Sequence, residues 1–151
     1  MKIIIDGDST PCKNEIIDTA KKHGIKAVIV LSTEHFSEKL SDSYAETVLV
    51  ENEPQAADIK IMNLTDPGDI VVTNDTPLSF MLQGKKVIVI NSRGITVSAK
   101  DMSLGMELLH EEKKQRRSPK IKKVQGKGPK KYGREDTVNL TVALEKAITR
   151  S

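Results

Sequence analysis

The chain has 151 residues, the length of one ordinary domain, which we expect to span residues 1–151. Aromatic residues make up only 3% of it, so the core must be built from aliphatic side chains, as in a parallel sheet covered by helices. One cysteine excludes an internal disulfide, and no apolar run approaches the ~18 residues of a membrane span or the length of a signal peptide. These features predict a soluble cytoplasmic protein.

The formal net charge of +3 conceals an uneven distribution. Residues 113–134 hold 11 Lys and Arg residues and no acid, so the rest of the chain carries 13 basic and 21 acidic residues, a charge of −8. A segment this basic is typical of an arm that binds a polyanion, although a solvated loop has the same composition.

Apolar runs in the first half of the chain predict strands over residues 2–5, 26–31 and 47–50. After the first strand, Thr10 is a suitable helix N-cap and Pro11 a suitable first helical residue, and Gly24 is a suitable stop. The polar residues 32–45 predict a loop with a short helical piece.

The second half of the chain predicts strands over residues 69–73 and 86–90. Helical patterns begin at Pro54, at Thr76-Pro77, near Ser98 and near Glu135. Strands that alternate with helices predict a three-layer α/β domain, with a mainly parallel sheet of about five strands flanked by helices. Residues 111–134 form a basic, partly irregular excursion before the last helix.

Acidic residues follow two of the predicted strands. Asp6 and Asp8 come after the first strand, and Asp75 follows the strand that ends at Thr73. Ligands of open parallel sheets bind at the carboxyl ends of the strands, so neighbouring strands would bring these carboxylates together. Asp58 borders the apolar face of a predicted helix. Carboxylate oxygens suit Mg²⁺ or Mn²⁺, which makes these four aspartates candidate metal ligands and catalytic residues.

Each acid also has a purely structural interpretation. Asp is common in turns and at helix N-caps, so Asp8 and Asp75 can serve there alone. Asp58 can form an ion pair at the edge of its apolar face. The combination of two acidic strand ends with an acid on a helix favours the metal site, because clustered carboxylates repel one another unless a cation neutralises them.

Polar residues near the same edge are candidates for binding phosphate. Thr10 and Thr76 are the predicted caps, and helix N-termini at this edge would offer backbone N–H groups to an anion. Asn74 adds an amide. Arg93 follows the fifth strand, and its guanidinium can make bidentate contacts with a phosphate.

Six segments form a recognisable set: DGDSTP (6–11), AADIKI (56–61), PGDIVVTNDTPL (67–78), NSRG (91–94), GKGP (126–129) and RED with the apolar helix after it (134–148). Together they resemble the YaiI/YqxD family, an uncharacterised bacterial family with a PIN-like fold, over nearly the whole chain. Thr10 stands where that family typically has Cys, and Ser92 replaces its usual Pro.

The resemblance implies a PIN-like domain with an acidic edge that binds a divalent metal for phosphodiester hydrolysis. Asp6, Asp8, Asp58 and Asp75 match the acidic positions. We therefore favour a metal-dependent nuclease that uses Mg²⁺ or Mn²⁺ and acts on RNA rather than DNA. Its basic segment would hold the nucleic-acid backbone. The candidate contacts there are Lys127, Lys130, Lys131 and Arg134.

Two other functions remain open. A non-catalytic RNA- or ribosome-binding module needs only the basic segment. A haloacid-dehalogenase-like phosphatase would use Asp6 as nucleophile and Asp8 as acid/base, because DGDST fits the opening motif hhhD-x-D-x-T. The sequence predicts no membrane association and leaves the oligomeric state open.

Overall fold

The computed structural model describes residues 1–36, 44–97 and 131–150. Its strands are β1 (Lys2–Asp6), β2 (Lys26–Ser32), β3 (Glu46–Val50), β4 (Ile70–Val72), β5 (Ile88–Ile90) and β6 (Thr96–Val97). Its α-helices are α1 (Lys13–Lys22), α2 (Ala56–Leu64), α3 (Thr76–Gln83) and α4 (Arg134–Arg150). The helix predicted near Ser98 and most of the basic excursion lie outside the described residues.

The six strands form one sheet in the order β3-β2-β1-β4-β5-β6. The first five strands pair in parallel, and β6 pairs antiparallel with β5. The predicted mainly parallel sheet is confirmed. The sequence did not predict β6, because a strand of two residues is too short to show an alternating pattern.

The strand order reverses between β1 and β4. From β1 the chain moves outward through β2 to β3, and it then returns to β4 on the other side of β1. The carboxyl ends of the strands diverge at such a switch point and leave a crevice in which ligands bind. We call the edge at which β1 to β5 end the carboxyl edge.

Helices cover both faces of the sheet, as the three-layer prediction requires. One face packs against α1 and α4, and its fully buried residues include Ile3, Ile5, Ile16, Ile29, Leu140 and Leu144. The other face packs against α2 and α3 through Ile4, Val71, Val89, Ile61, Leu78 and Leu82. Successive residues of β1 enter opposite layers because strand side chains alternate between the two faces. The core is aliphatic, as the composition predicts.

Two helices begin later than predicted. α1 starts at Lys13, and its N-cap position is Cys12, which makes no side-chain cap hydrogen bond. The prediction that Thr10 caps α1 and that Pro11 opens it is wrong, because Thr10 is only 1% exposed and is packed into the interior. α2 starts at Ala56, since Gln55 adopts a left-handed conformation with φ of 68° that cannot continue a helix.

Within the described ranges, no helix combines the length and the apolar character that a membrane crossing requires.

Candidate functional site

Asp6 joins the carboxyl ends of β1 and β4. It is the last residue of β1 and is 4% exposed. Its Oδ2 accepts hydrogen bonds from Ser9 Oγ at 2.9 Å and from Thr73 Oγ1 at 2.7 Å. Thr73 directly follows β4, so this carboxylate ties the two neighbouring strand ends together. Its Oδ1 accepts no hydrogen bond from the residues that the structure describes.

Gly7 allows the chain to turn between Asp6 and Asp8. A Cβ atom on Gly7 would lie 2.4 Å from Leu31 Cδ2 and 2.9 Å from the carbonyl oxygen of Val30. The Gly7 N–H donates a hydrogen bond to that same carbonyl at 2.9 Å. Only glycine permits this close approach to β2, so the spacing of the two aspartates depends on it.

Asp8 is anchored to the end of β2. Its Oδ1 accepts hydrogen bonds from Ser32 N at 3.1 Å and from Ser32 Oγ at 3.2 Å, and it lies 3.0 Å from His35 Nδ1. His35 belongs to a 3-10 turn, Thr33–His35, that directly follows β2. Oδ1 of Asp8 therefore has a structural role at the end of β2, and Oδ2 is left for any contact with a ligand.

Asp75 is the N-cap of α3. Its Oδ1 accepts a hydrogen bond from Leu78 N at 2.8 Å, and its own N–H donates to Thr73 Oγ1 at 3.0 Å. The prediction that Thr76 caps this helix is wrong, because Thr76 is the first helical residue and the preceding carboxylate already satisfies the first-turn N–H. Capping uses one oxygen of Asp75 and leaves Oδ2 unoccupied within the described part of the chain.

Asp58 lies half-buried in the first turn of α2. No hydrogen bond or ion pair reaches its carboxylate from residues 1–36, 44–97 or 131–150. Burial raises its pKa, and the negative charges of Asp75 and Asp6 raise it further. Ile61, one turn later, is fully buried and holds this face of α2 against the sheet. The carboxylate is thus held near two other acids, and no basic side chain in the described ranges forms an ion pair with it.

These four aspartates line one pocket of about 240 Å³, which we call the acidic pocket. Glu51 and Glu53, from the loop between β3 and α2, line it as well. The sequence did not single out either glutamate, because they follow a half-exposed strand in a run of polar residues and match no motif. Their presence makes the crevice at the switch point more acidic than predicted.

Burial, hydrogen bonds and neighbouring charges all act on the pKa of Asp6. Burial is the main cause of its raised pKa, and the charges of Asp8 and Asp75 raise it further. The hydrogen bonds from Thr73 and Ser9 act in the opposite direction, because they stabilise the ionised carboxylate. Burial together with the neighbouring charges outweighs the two hydrogen bonds, so the ionised form of Asp6 is disfavoured, and a cation in the acidic pocket would offset this cost.

The chemistry of these donors fits a hard divalent cation better than zinc. Oxygen ligands are preferred by Mg²⁺ and Mn²⁺, and no His or Cys among the described residues lines the acidic pocket. Within the described ranges, no three His, Cys, Asp or Glu side chains are arranged to hold one ion. Mg²⁺ commonly binds through one or two carboxylates and keeps several waters, so the residues fit a hydrated ion. Asp6 Oδ1 and Asp75 Oδ2 would hold it.

The predicted phosphate contacts separate into several groups. Thr10, Asn74 and Arg93 line a second pocket of about 570 Å³ at the carboxyl edge, which we call the basic pocket. Thr76 is exposed and lines neither pocket. Lys131 lies three residues before α4 and Arg134 is the first residue of that helix; both are exposed. The remaining candidates, Lys127 and Lys130, lie outside the described residues.

Asn74 has a clear structural role. Its Nδ2 donates to the carbonyl oxygen of Ser9 at 2.8 Å, and its Oδ1 accepts hydrogen bonds from Ser92 N at 3.0 Å and Ser92 Oγ at 2.9 Å. This amide therefore links the loops that follow β1, β4 and β5. Asn74 positions the walls of the basic pocket, and one of its two amide N–H groups already has a partner.

Comparison with known proteins places the chain in a family. The profile described as "Uncharacterized BCR, YaiI/YqxD family" matches residues 4–150. The chain belongs to this family. A UPF0178 protein of Alkaliphilus metalliredigens is 34% identical over 153 residues, which is 99% of this chain and 93% of the relative. A UPF0178 protein of Oceanobacillus iheyensis is 31% identical over 150 residues, or 99% of this chain and 100% of the relative. The family resemblance predicted from the six segments is therefore confirmed.

Proposed function

We propose that this protein is a metal-dependent phosphodiesterase that cleaves RNA, with Mg²⁺ or Mn²⁺ held in the acidic pocket. One observation carries the proposal: four aspartates from β1, its following loop, α2 and the start of α3 line a single pocket at the switch point of the sheet. These four places in the chain thus bring like charges together, at a cost to folding that a bound cation would remove.

Each aspartate would have its own role. Asp6 and Asp75 would hold the ion through the oxygens that Ser9, Thr73 and Leu78 leave unoccupied. Asp58 would orient the attacking water, because its carboxylate has no partner in the described part of the chain and its raised pKa favours accepting a proton. Asp8 would contribute its second oxygen.

A bound Mg²⁺ or Mn²⁺ supplies Lewis acidity, which neutralises charge on the phosphate and lowers the pKa of a bound water. The choice of RNA rests on the basic segment at 113–134, which suits a polyanionic backbone. Single-stranded RNA is the first substrate to test, since the crevice is a narrow pocket of about 240 Å³. We place this activity in the cytoplasm.

Two features weigh against the phosphatase alternative. A nucleophilic carboxylate must be reached by a phosphoryl group, which is far larger than a metal ion, whereas Asp6 is 4% exposed. Its Oδ2 is also occupied by two hydroxyl donors. Trapping an acyl-phosphate or a beryllofluoride complex on Asp6 would nevertheless establish that chemistry.

The decisive experiment measures cleavage of single-stranded RNA with and without Mn²⁺ by wild type and by Asp75→Asn. Asn caps helices about as well as Asp, so the substitution keeps α3 intact while it removes the charge. Asp18→Asn is the matched control, because Asp18 is exposed on α1 and lines neither pocket. We expect Asp75→Asn to lose at least about a hundredfold in rate and Asp18→Asn to match wild type.

Equal Mn²⁺-dependent activity in wild type and Asp75→Asn would assign the cleavage to a contaminating nuclease and refute the proposal. Tight, salt-sensitive RNA binding without any metal-dependent turnover would instead establish the non-catalytic RNA-binding module.

A further inference from the structure

The basic pocket adjoins the acidic pocket at the carboxyl edge. Asp8 and Ser9 line both pockets, so the two cavities share a wall. The basic pocket is also lined by Lys13 at the start of α1, by Ser92 and Arg93 after β5, and by Tyr132 before α4. Its volume of about 570 Å³ lies within the range of small-ligand sites and can hold a nucleotide unit.

The cationic side chains of this pocket differ in how they are held. The Arg93 guanidinium lies 3.1 Å from Asp136 and 5.9 Å from the centre of the Tyr132 ring, which fixes it at the pocket wall. Lys13 is half-buried, yet its ammonium forms no ion pair with any described carboxylate. Lys13 lines the pocket, and its flexible side chain can bring a positive charge to an anion bound there.

The start of α1 adds to the positive potential. α1 is ten residues long and begins at Lys13, and its N-cap residue makes no side-chain hydrogen bond, so its first-turn N–H groups can donate to a bound acceptor. Thr10 also lines the pocket; it is 1% exposed, and its hydroxyl is without a hydrogen-bond partner in the described structure. A buried hydroxyl without a protein partner is uncommon, and this one belongs to a residue that borders a ligand-sized cavity.

We propose that the basic pocket binds a phosphate group of the nucleic acid next to the bond that is cleaved in the acidic pocket. This inference rests on the proposed function. Lys13 provides a positive charge that no described carboxylate pairs with, α1 provides N–H donors, and Arg93 and Tyr132 complete the lining. The shared Asp8–Ser9 wall separates the two phosphates, so the substrate must present at least one phosphate beside the scissile one.

The test measures binding by the full-length protein in EDTA, where no cleavage occurs. The probes are inorganic phosphate, adenosine 5′-monophosphate and the dinucleotide ApA, which has an internal phosphodiester and no terminal phosphate. Backbone amide shifts in two-dimensional NMR locate each ligand. This local readout is needed because residues 113–134 carry 11 cationic side chains that bind anions regardless of the pocket.

We expect nucleotide binding to shift the amides of Lys13 and Ser92, and Lys13→Gln to weaken it about tenfold or more. Lys26→Gln is the matched control, because Lys26 opens β2 at the opposite edge of the sheet and forms an ion pair with exposed Glu46 at 3.2 Å. Binding of ApA assigns the pocket to an internal phosphate, and binding of adenosine 5′-monophosphate alone assigns it to a terminal one.

Unchanged affinity in Lys13→Gln, or amide shifts confined to residues 113–134, would overturn the inference. Binding of inorganic phosphate but neither nucleotide would overturn the assignment to nucleic acid. These outcomes are independent of the cleavage assay on Asp75→Asn, so failure of the phosphate pocket and failure of the proposed function are distinguishable.

Discussion

Asp75 can act as a helix cap, as a metal ligand or as both, and two substitutions separate these roles. Asp75→Ala removes the oxygen that accepts the hydrogen bond from Leu78 N at 2.8 Å. Loss of an N-cap costs about 1 kcal/mol, which lowers the melting temperature of a domain of this size by about 2–4 °C. Asp75→Asn keeps a capping oxygen and removes the charge that raises the pKa of Asp6 and Asp58. In EDTA it should therefore be at least as stable as wild type.

Added Mn²⁺ then tests whether Asp75 is also a metal ligand. A ligand that binds only the folded state at 100 times its dissociation constant stabilises it by about 2.7 kcal/mol, or roughly 5–11 °C. We expect this gain in wild type and in Asp18→Asn, and its loss in both Asp75 variants. Differential scanning fluorimetry with a Mn²⁺ titration measures all four proteins.

Two outcomes would refute this reasoning. If Mn²⁺ stabilises Asp75→Asn as much as wild type, Asp75 is a cap and not a ligand. If Asp75→Asn is as unstable in EDTA as Asp75→Ala, the carboxylate stabilises α3 by something other than the hydrogen bond that Asn can replace.

Three further changes probe the surroundings of the site. The pKa of Asp6 is raised in the folded state, so the native protein binds the carboxyl proton more tightly than the unfolded chain does. The free energy of unfolding of the metal-free protein should therefore fall as the pH rises from 3.8 through the folded-state pKa of Asp6. Urea titrations should show a smaller loss in Asp6→Asn, and identical pH profiles would contradict the raised pKa of Asp6. Thr73→Val removes a 2.7 Å hydrogen bond to a buried carboxylate and should cost about 1–3 kcal/mol in the same assay, whereas wild-type stability would mean that the hydroxyl is dispensable. Gly94→Ala places a Cβ atom 2.5 Å from the Asn139 backbone at a φ of +84° and should destabilise by more than about 1 kcal/mol. Gly84→Ala, where the nearest atom is 3.8 Å away, is its control and should be neutral or slightly stabilising.

Local patterns predicted most of the fold. Branched aliphatic runs marked β1 to β5, because buried parallel strands require such residues on both faces. The predicted starts of helices were less accurate where tertiary packing overrides the local sequence preference for a helix start. Thr10 and Pro11 have the right chemistry for a helix start, yet burial of Thr10 delays α1 to Lys13. A chain segment cannot reveal by itself which of its polar residues will be enclosed.

The candidate site was predicted in part. Asp6, Asp8, Asp58 and Asp75 do share one pocket, whereas Glu51 and Glu53 were missed. Lys13 was missed as well, since a lysine in the first turn of a helix carries no signal. Its relevance comes only from the pocket that the loops after β1 and β5 form around it.

The sequence alone determined the parallel α/β architecture, because periodicity and aliphatic composition depend only on neighbouring residues. It could not determine which acidic side chains lie close together in the folded protein. Asp69 and Asp75 both flank β4, but Asp69 precedes the strand and pairs with Lys2 at 2.5 Å on the opposite edge. Asp75 follows the strand and joins Asp6 only because β4 pairs with β1 rather than with another strand. Strand order is set by packing across the whole sheet. Only the tertiary structure therefore shows that acidic residues from separate turns line one pocket.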